Sequence, residues 1–146
     1  DLNRVVGDVV ELMETRALDA NVTLSWQPDP GMQDLMFDPE AIHQAVLNVI
    51  TNAIDACKPI DGGQVEVVTE YLPASHVVRI VVSDNGPGIA PEDIDAIFSV
   101  FESRKGNRGT GLGLPVSRKI LREHQGDVTV MSTPGSGSQF RLEMPL

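Results

Sequence analysis

Two strand-like segments separated by a very short link limit the folds open to this chain. Val and Ile recur through QVEVVTEYL (64–72) and HVVRIVVSD (76–84), and only Pro73-Ala74-Ser75 lies between them. Such a link joins neighbouring antiparallel strands, whereas parallel strands need a long crossover. The two segments therefore argue against a doubly wound nucleotide-binding fold, in which strands alternate regularly with helices.

Apolar periodicity elsewhere predicts three long helices and the remaining strands. One helix is expected over 2–18, and a second begins at Asp38-Pro39-Glu40, an N-cap Asp followed by a first-turn Pro, and ends near Cys57. A third runs from about 113 to 125, because Pro115 is tolerated only in a first turn. Shorter elements are predicted as strands at 21–26, 34–37, 127–132 and 138–145 and a helix at 92–98. This order predicts an α+β fold, a two-layer sandwich with a mostly antiparallel sheet of about five strands.

The chain is acidic overall but basic in one region. Its 146 residues suit a single domain with one core, and its formal charge of -10 argues against binding to nucleic acid. Six of its eleven Lys and Arg residues lie between positions 104 and 122. This distribution predicts a local anion site, although the basic residues at 118–122 also fit a solvated helix face.

Neither the cysteine content nor the hydropathy indicates an oxidising or membrane environment. Cys57 is the single cysteine, which excludes a disulfide framework and a thiol metal site. No apolar run reaches the roughly 18 residues that span a bilayer, and we expect no signal peptide within this sequence. We expect a cytoplasmic domain without membrane contact. Because residue 1 is already in helical register, we expect a longer parent protein, either membrane-anchored or soluble.

Four polar residues form one stripe on the helix predicted at 38–57. At about 100° per residue, Gln44, Asn48, Asn52 and Asp55 share one side, and the apolar residues face away. Asn is a poor helix former because its amide competes for backbone hydrogen bonds. The two Asn residues therefore indicate a face that holds something polar, such as a hydrated cation. An ordinary amphipathic face is the alternative.

The segment SDNGPGIAPED (83–93) places a carboxylate and two glycines at the end of a strand. Asp84 ends the apolar run, and Gly86 and Gly88 allow the backbone to turn sharply and approach a ligand. A buried carboxylate here would accept a hydrogen bond from an exocyclic amino group, such as that of adenine. The alternative is a plain turn, since Asp-Asn-Gly is common in turns.

A third cluster, GNRGTGLGL (106–114), fits neither of two well-known glycine-rich phosphate loops. A dinucleotide fingerprint starting at Gly109 needs Gly where Leu114 stands, and a P-loop starting at Gly106 needs Lys where Leu112 stands. Glycines before a helix start still offer free backbone N–H groups to phosphates. A loop with a glycine-rich helix cap is the alternative. A hydroxyl and two positive charges are also available, from Thr110, Lys105 and Arg108.

The clusters occur in the order of a known set of motifs. N-x-x-x-N-A-x-x-A (48–56), D-x-G-x-G (84–88), F-x-x-F (98–101) and G-x-G-x-G (109–113) follow one another. Together they resemble the N, G1, F and G2 boxes of the ATP-binding catalytic domain of sensor histidine kinases. That domain has the Bergerat ATP-binding fold, shared with DNA gyrase, mismatch-repair ATPases and the ninety-kilodalton heat-shock chaperones. PGSGSQF (134–140) resembles the family's last glycine box.

The resemblance implies a role for each matching residue. Asn52 would ligate the Mg²⁺ that bridges the ATP phosphates, with Asn48 beside it as a catalytic residue. Asp84 would bind the adenine amino group. Lys105, the second implied catalytic residue, would reach the γ-phosphate from a lid; Asp55 stands where many relatives carry Lys. The implied ATP-binding residues are Asn48, Asn52, Asp55, Asp84, Gly86, Gly88, Ile89, Phe98, Phe101, Lys105, Arg108, Gly109, Thr110, Gly111, Leu112, Gly113, Leu114 and Ser138.

The residue at position 48 separates the activities found in this superfamily. Hydrolases carry a Glu there that activates water, whereas a carboxamide has no useful basicity. A histidine nucleophile brings its own lone pair and needs no such base. Asn48 therefore favours phosphoryl transfer to a histidine in two-component signal transduction. The alternatives are an ATPase of the same superfamily, a serine-specific anti-sigma kinase, and a nucleotide-binding regulatory module without transfer.

The resemblance also implies the partners of the reaction. None of His43, His76 and His124 begins an acceptor motif, so the acceptor histidine is expected on an upstream dimerisation domain. The receiver domain of a response regulator would act downstream. We expect residues 1–146 to form one catalytic ATP-binding domain, monomeric by itself and part of a homodimeric parent.

Overall fold

A computed structural model describes residues 1–98 and 113–146. These residues contain three α-helices, five β-strands and three short 3-10 turns. The helices are α1 (Leu2–Asp19), α2 (Pro39–Cys57) and α3 (Gly113–Glu123). The strands are β1 (Val22–Gln27), β2 (Gly63–Leu72), β3 (Val77–Asp84), β4 (Asp127–Thr133) and β5 (Gly137–Pro145). The three predicted long helices are confirmed, and α2 begins at its predicted cap, where Asp38 accepts from the Glu40 N–H at 3.1 Å.

The strands form one mixed sheet in the order β1-β2-β3-β5-β4. β2 and β3 pair in antiparallel register across the short link, and β5 pairs antiparallel with both β3 and β4. β1 pairs with β2 in parallel because α2 forms the crossover between them. The predicted two-layer α+β architecture with a mostly antiparallel sheet is confirmed.

One face of the sheet packs against the helices and carries the core. Alternate strand residues are buried on this face, as Val65 and Val67 of β2 show. On the opposite face, Arg79 of β3 bonds Glu70 and Glu143 on the two neighbouring strands. The helices of the second layer are amphipathic, and none of those described is long and apolar enough to cross a bilayer.

Three local predictions differ from the structure. Residues 34–37 form no strand; Leu35 and Phe37 pack on the core, but their backbone pairs with none of the five strands. Partly buried and exposed side chains alternate here because every second residue packs on the core, and no neighbouring strand pairs with the segment. The helix predicted at 92–98 is two 3-10 turns, since so short a segment gains few helical hydrogen bonds. α3 ends at Glu123, because Gln125 is left-handed with φ 61°.

Candidate nucleotide-binding site

Asp84 lies at the end of β3 with a half-buried carboxylate. The backbone N–H of Gly86 donates to its Oδ1 at 2.9 Å, and Ser138 lies opposite Asp84 on the paired strand β5. Burial raises the pKa of Asp84, and the backbone N–H groups of Gly86 and Ser138 only partly oppose that shift. The carboxylate is thus a fixed acceptor with limited access to water, as recognition of an amino group requires.

Two glycines let the loop after Asp84 lie directly on the hairpin formed by β4 and β5. Gly88 has φ 78°, and a Cβ there would lie 2.3 Å from the carbonyl oxygen of Thr133. Gly137 has φ 99°, and a Cβ there would lie 2.0 Å from the carbonyl oxygen of Asp84. Any side chain at either position would meet backbone atoms and a strained φ. The close approach predicted at Gly88 is therefore made to the hairpin.

The same loop contacts the last turn of α2. A Cβ at Gly86 would lie 3.0 Å from the carbonyl oxygen of Ala56. Burial, and after it the negative charge of Asp84, raises the pKa of the Cys57 thiol. Asn52 lies one turn before Ala56 on the same side of α2. The loop after Asp84 therefore contacts the end of α2 four residues beyond Asn52.

Asn48 connects α2 to the first turn of α3. Its Nδ2 donates to the carbonyl oxygen of Gly113 at 3.1 Å, and its Oδ1 accepts from Gln44 Nε2 at 2.8 Å. The buried hydroxyl of Ser117 donates to the carbonyl oxygen of Ala45 at 2.9 Å. These bonds hold the start of α3, whose first N–H groups lack helical partners, against α2. Sequence reasoning missed Ser117, whose one signal is a polar residue within an apolar helix face.

Asp55 is engaged by cations from two sides. Arg16 of α1 contacts both of its carboxylate oxygens at 3.1 Å, and Lys58 lies 3.4 Å from Oδ1. The Asp55 side chain is 15% exposed, so its charge is neutralised between α1 and the end of α2. This geometry gives no support to the predicted contact of Asp55 with nucleotide. Sequence spacing gave no signal for Arg16, because the two residues are 39 positions apart.

Asn52, the predicted magnesium ligand, suits a cation that is held mainly by a nucleotide. No cluster of three or more His, Cys, Asp or Glu that could hold a metal occurs in the described ranges. Mg²⁺ usually retains several waters and takes one or two protein ligands together with substrate phosphates. The carboxamide oxygen of the half-buried Asn52 is compatible with that ligand set.

Phe98 contacts α3, the helix that borders the candidate site, through the side chain of Arg118. The guanidinium carbon of Arg118 lies 4.4 Å from the centre of its ring. Arg118 and Arg122 contact Asp127 at 3.0 and 3.3 Å. Burial acts to raise the pKa of Asp127, but hydrogen bonds, including those from both arginines, lower it overall. Two of the basic residues that suggested an anion site or a solvated face are therefore paired within the fold.

Asn85 was not predicted and joins the loop to the start of β2. Its Oδ1 accepts from the Gln64 N–H at 2.7 Å, and its Nδ2 donates to the carbonyl oxygen of Gly62 at 3.0 Å. In the sequence this residue reads only as part of a turn. Its bonds fix the loop that carries Asp84 from the side opposite the hairpin.

The remaining predicted residues divide into two sets. Leu114 is buried in the first turn of α3, Ile89 packs against the core, and Ser138 is buried on β5. The others lie outside the described residues: Phe101, Lys105, Arg108, Gly109, Thr110, Gly111 and Leu112.

The chain is similar to known proteins over nearly its full length. Residues 37–146 match the family described as Histidine kinase-, DNA gyrase B-, and HSP90-like ATPase. The sensor histidine kinase ZraS of Escherichia coli (strain K12) is 34% identical over 147 residues, which cover 100% of this chain and 30% of ZraS. The chain therefore spans less than a third of that relative.

Solved structures of two histidine kinases share this fold. The nucleotide-free catalytic domain of ThkA has a TM-score of 0.83 and 29% identity, over 99% of this chain and 92% of that one. Full-length ShkA in complex with AMPPNP has a TM-score of 0.87 and 28% identity, over 99% of this chain and 30% of ShkA. ThkA in complex with the response regulator TrrA has a TM-score of 0.80 and 28% identity, over 99% of this chain and 40% of that one.

Proposed function

The chain belongs to the histidine kinase-, DNA gyrase B- and HSP90-like ATPase family, and we propose that it binds Mg-ATP and transfers the γ-phosphoryl group to a histidine. The chain spans only 30% of ZraS, so the activity of the complete protein to which the chain belongs is also a proposal. The observation that carries it is the contact of the loop after Asp84 with the last turn of α2, the helix that also carries Asn52. We further propose that residues 1–146 form a single catalytic domain.

Each element of the site has a proposed task. Asp84 accepts a hydrogen bond from the adenine amino group, and the loop through Gly88 borders the base. Asn52 offers its oxygen to Mg²⁺, which supplies charge neutralisation at the phosphates when bound. The backbone N–H groups at the start of α3, at the positive end of the helix dipole, would bind the phosphates. Lys105 and segment 109–113 are proposed to complete the phosphate side.

The polar stripe of α2 favours transfer over hydrolysis. Asn48 cannot act as a base, and its carboxamide is already bonded to Gln44 and Gly113. Asp55, the carboxylate on the same stripe, is paired with Arg16 and Lys58, so its oxygens are engaged by these two cations. A water molecule at this side of the site therefore gains little activation. An incoming imidazole brings its own nucleophilic lone pair.

The partners of the reaction are proposed from the relatives. We propose that the acceptor histidine lies on a dimerisation domain elsewhere in the parent protein. The catalytic domain by itself would be a monomer, and the parent would be a homodimer. ThkA was solved with the response regulator TrrA, and we propose a receiver domain of that class as the downstream phosphate acceptor. The parent is proposed to be either membrane-anchored or soluble, with this domain in the cytoplasm.

A transfer assay distinguishes the proposed activity from its alternatives. The chain is incubated with γ-labelled Mg-ATP, with and without the separately produced dimerisation domain of its parent. We expect acid-labile, base-stable label on the added domain and little free phosphate, because α2 offers water no base. Rapid phosphate release that ignores the partner would instead establish an ATPase. Acid-stable label would indicate a serine kinase, and binding without either reaction would indicate a regulatory module.

The raised pKa of Asp84 predicts a pH dependence of nucleotide binding. The ionised carboxylate accepts from the adenine amino group, so affinity falls as pH decreases through a pKa above the ordinary 3.8. The free energy of unfolding changes with pH in the opposite direction. Because the pKa of Asp84 is raised in the folded state, its contribution to stability is fully present at low pH and is lost as the pH rises through that pKa. Calorimetry should compare Mg-ATP with Mg-ITP, since both share the phosphate titration. An ATP preference that does not change on acidification would contradict the assignment.

A further inference from the structure

The hydroxyl of Ser132 on β4 joins three backbone segments around the candidate site. The Ile89 N–H donates to Ser132 Oγ at 2.7 Å, and that hydroxyl donates to the carbonyl oxygen of Gly137 at 3.0 Å. A third bond, at 2.9 Å, links it to the hydroxyl of Ser138. Ser132 thus contacts the loop after β3, the end of the hairpin turn and the first residues of β5.

The capacity of a hydroxyl group settles the direction of the third bond. Ser132 has one proton and two lone pairs, and its proton is used by the carbonyl oxygen of Gly137. The hydroxyl of Ser138 must therefore be the donor toward Ser132. One proton and both lone pairs of the Ser132 hydroxyl are thus used. Removing the oxygen would leave the Ile89 N–H without its acceptor.

The three bonds reach both sides of the position proposed for adenine. Ile89 follows Gly88, where the loop lies against the hairpin, so its N–H fixes the end of that loop. On the other side, Ser138 lies opposite Asp84 in the pairing of β3 with β5. Ser132 is therefore hydrogen-bonded both to the loop that borders the proposed adenine position and to the residue that pairs with Asp84. Recognition of a base edge needs such mutual placement, because hydrogen bonds weaken steeply with misalignment.

We infer that Ser132 is a positioning residue that sets the discrimination of this site between adenine and other purine bases. It touches no reacting atom and acts through Ile89, Ser138 and Asp84. The inference rests on the proposed ATP-binding function. A purely structural role in closing the β4–β5 hairpin is the competing explanation, and it makes a different prediction for base selectivity.

The test compares two nucleotides that differ at the base. ITP carries a carbonyl oxygen where ATP carries the amino group, and the triphosphates are identical. Calorimetry gives the affinities of the Ser132→Ala, Ser132→Thr and unmodified proteins for Mg-AMPPNP and for Mg-ITP. We expect Ser132→Ala to lose about tenfold in affinity for the adenine nucleotide and less for ITP. The ratio of the two affinities should therefore decrease. Ser132→Thr keeps the hydroxyl and should restore it.

Controls separate this inference from folding effects and from the proposed function. Thr129→Ala, an exposed change on the opposite face of β4, should leave both affinities and the melting temperature unchanged. If Ser132→Ala lowers both affinities equally, or only lowers the melting temperature, the role is structural and the inference is wrong. Failure of Ser132→Thr to restore the preference would also overturn it. If the unmodified protein shows no adenine preference, the proposed function itself fails.

Discussion

Replacement of Asp84 by Asn is expected to weaken ATP binding by about tenfold or more. The backbone N–H of Gly86 already donates to this carboxylate at 2.9 Å. An amide has one oxygen and one NH₂ group, so its NH₂ would face either a backbone donor or the amino group of adenine. The loss of a charge-assisted hydrogen bond is worth about 1.5–3 kcal/mol.

A matched substitution controls for the change in charge. Asp93 is exposed in the 3-10 turn Pro91–Asp93, and Asp93→Asn removes the same charge without touching the carboxylate site. Calorimetry with Mg-AMPPNP should separate the two variants, with the Asp93→Asn affinity equal to that of the unmodified protein. Equal affinities for Asp84→Asn and the unmodified protein would remove Asp84 from the nucleotide site.

Replacement of Asn52 by Ala is expected to reduce phosphoryl transfer to the added dimerisation domain by at least about 100-fold. Even residues that merely orient a metal ligand contribute about 10- to 100-fold to affinity or activity, and a direct ligand should contribute no less. The described residues contain no acidic cluster that could take over the cation. The transfer assay with γ-labelled ATP measures this loss.

Two further measurements define the role of Asn52. Asn52→Asp keeps an oxygen ligand, so it should retain more activity than Asn52→Ala. The gain in nucleotide affinity on adding Mg²⁺ should disappear in Asn52→Ala but persist in the exposed control Gln33→Ala. Undiminished transfer by Asn52→Ala, or an unchanged magnesium effect, would show that the cation is held elsewhere.

Much of the secondary structure and the motif order could be predicted because local spacing carries that information. The short link between 64–72 and 76–84 permits only an antiparallel pair, and Asp38-Pro39 marks the start of α2. The helical period places Asn48 and Asn52 on one face before any tertiary contact is known. Residues 34–37 show the limit of this reasoning, since alternating burial arose from core packing without strand pairing.

The sequence by itself determined the α+β class, the order of the elements and the residue types that could bind a nucleotide, because each depends on neighbours within a few positions. Tertiary structure decided which of those residues meet. Asp84 and Ser138 become neighbours through the pairing of β3 with β5, and Arg16 reaches Asp55 through the packing of α1 on α2. Contacts between positions so distant in sequence follow from the packing of whole elements, which no local pattern encodes.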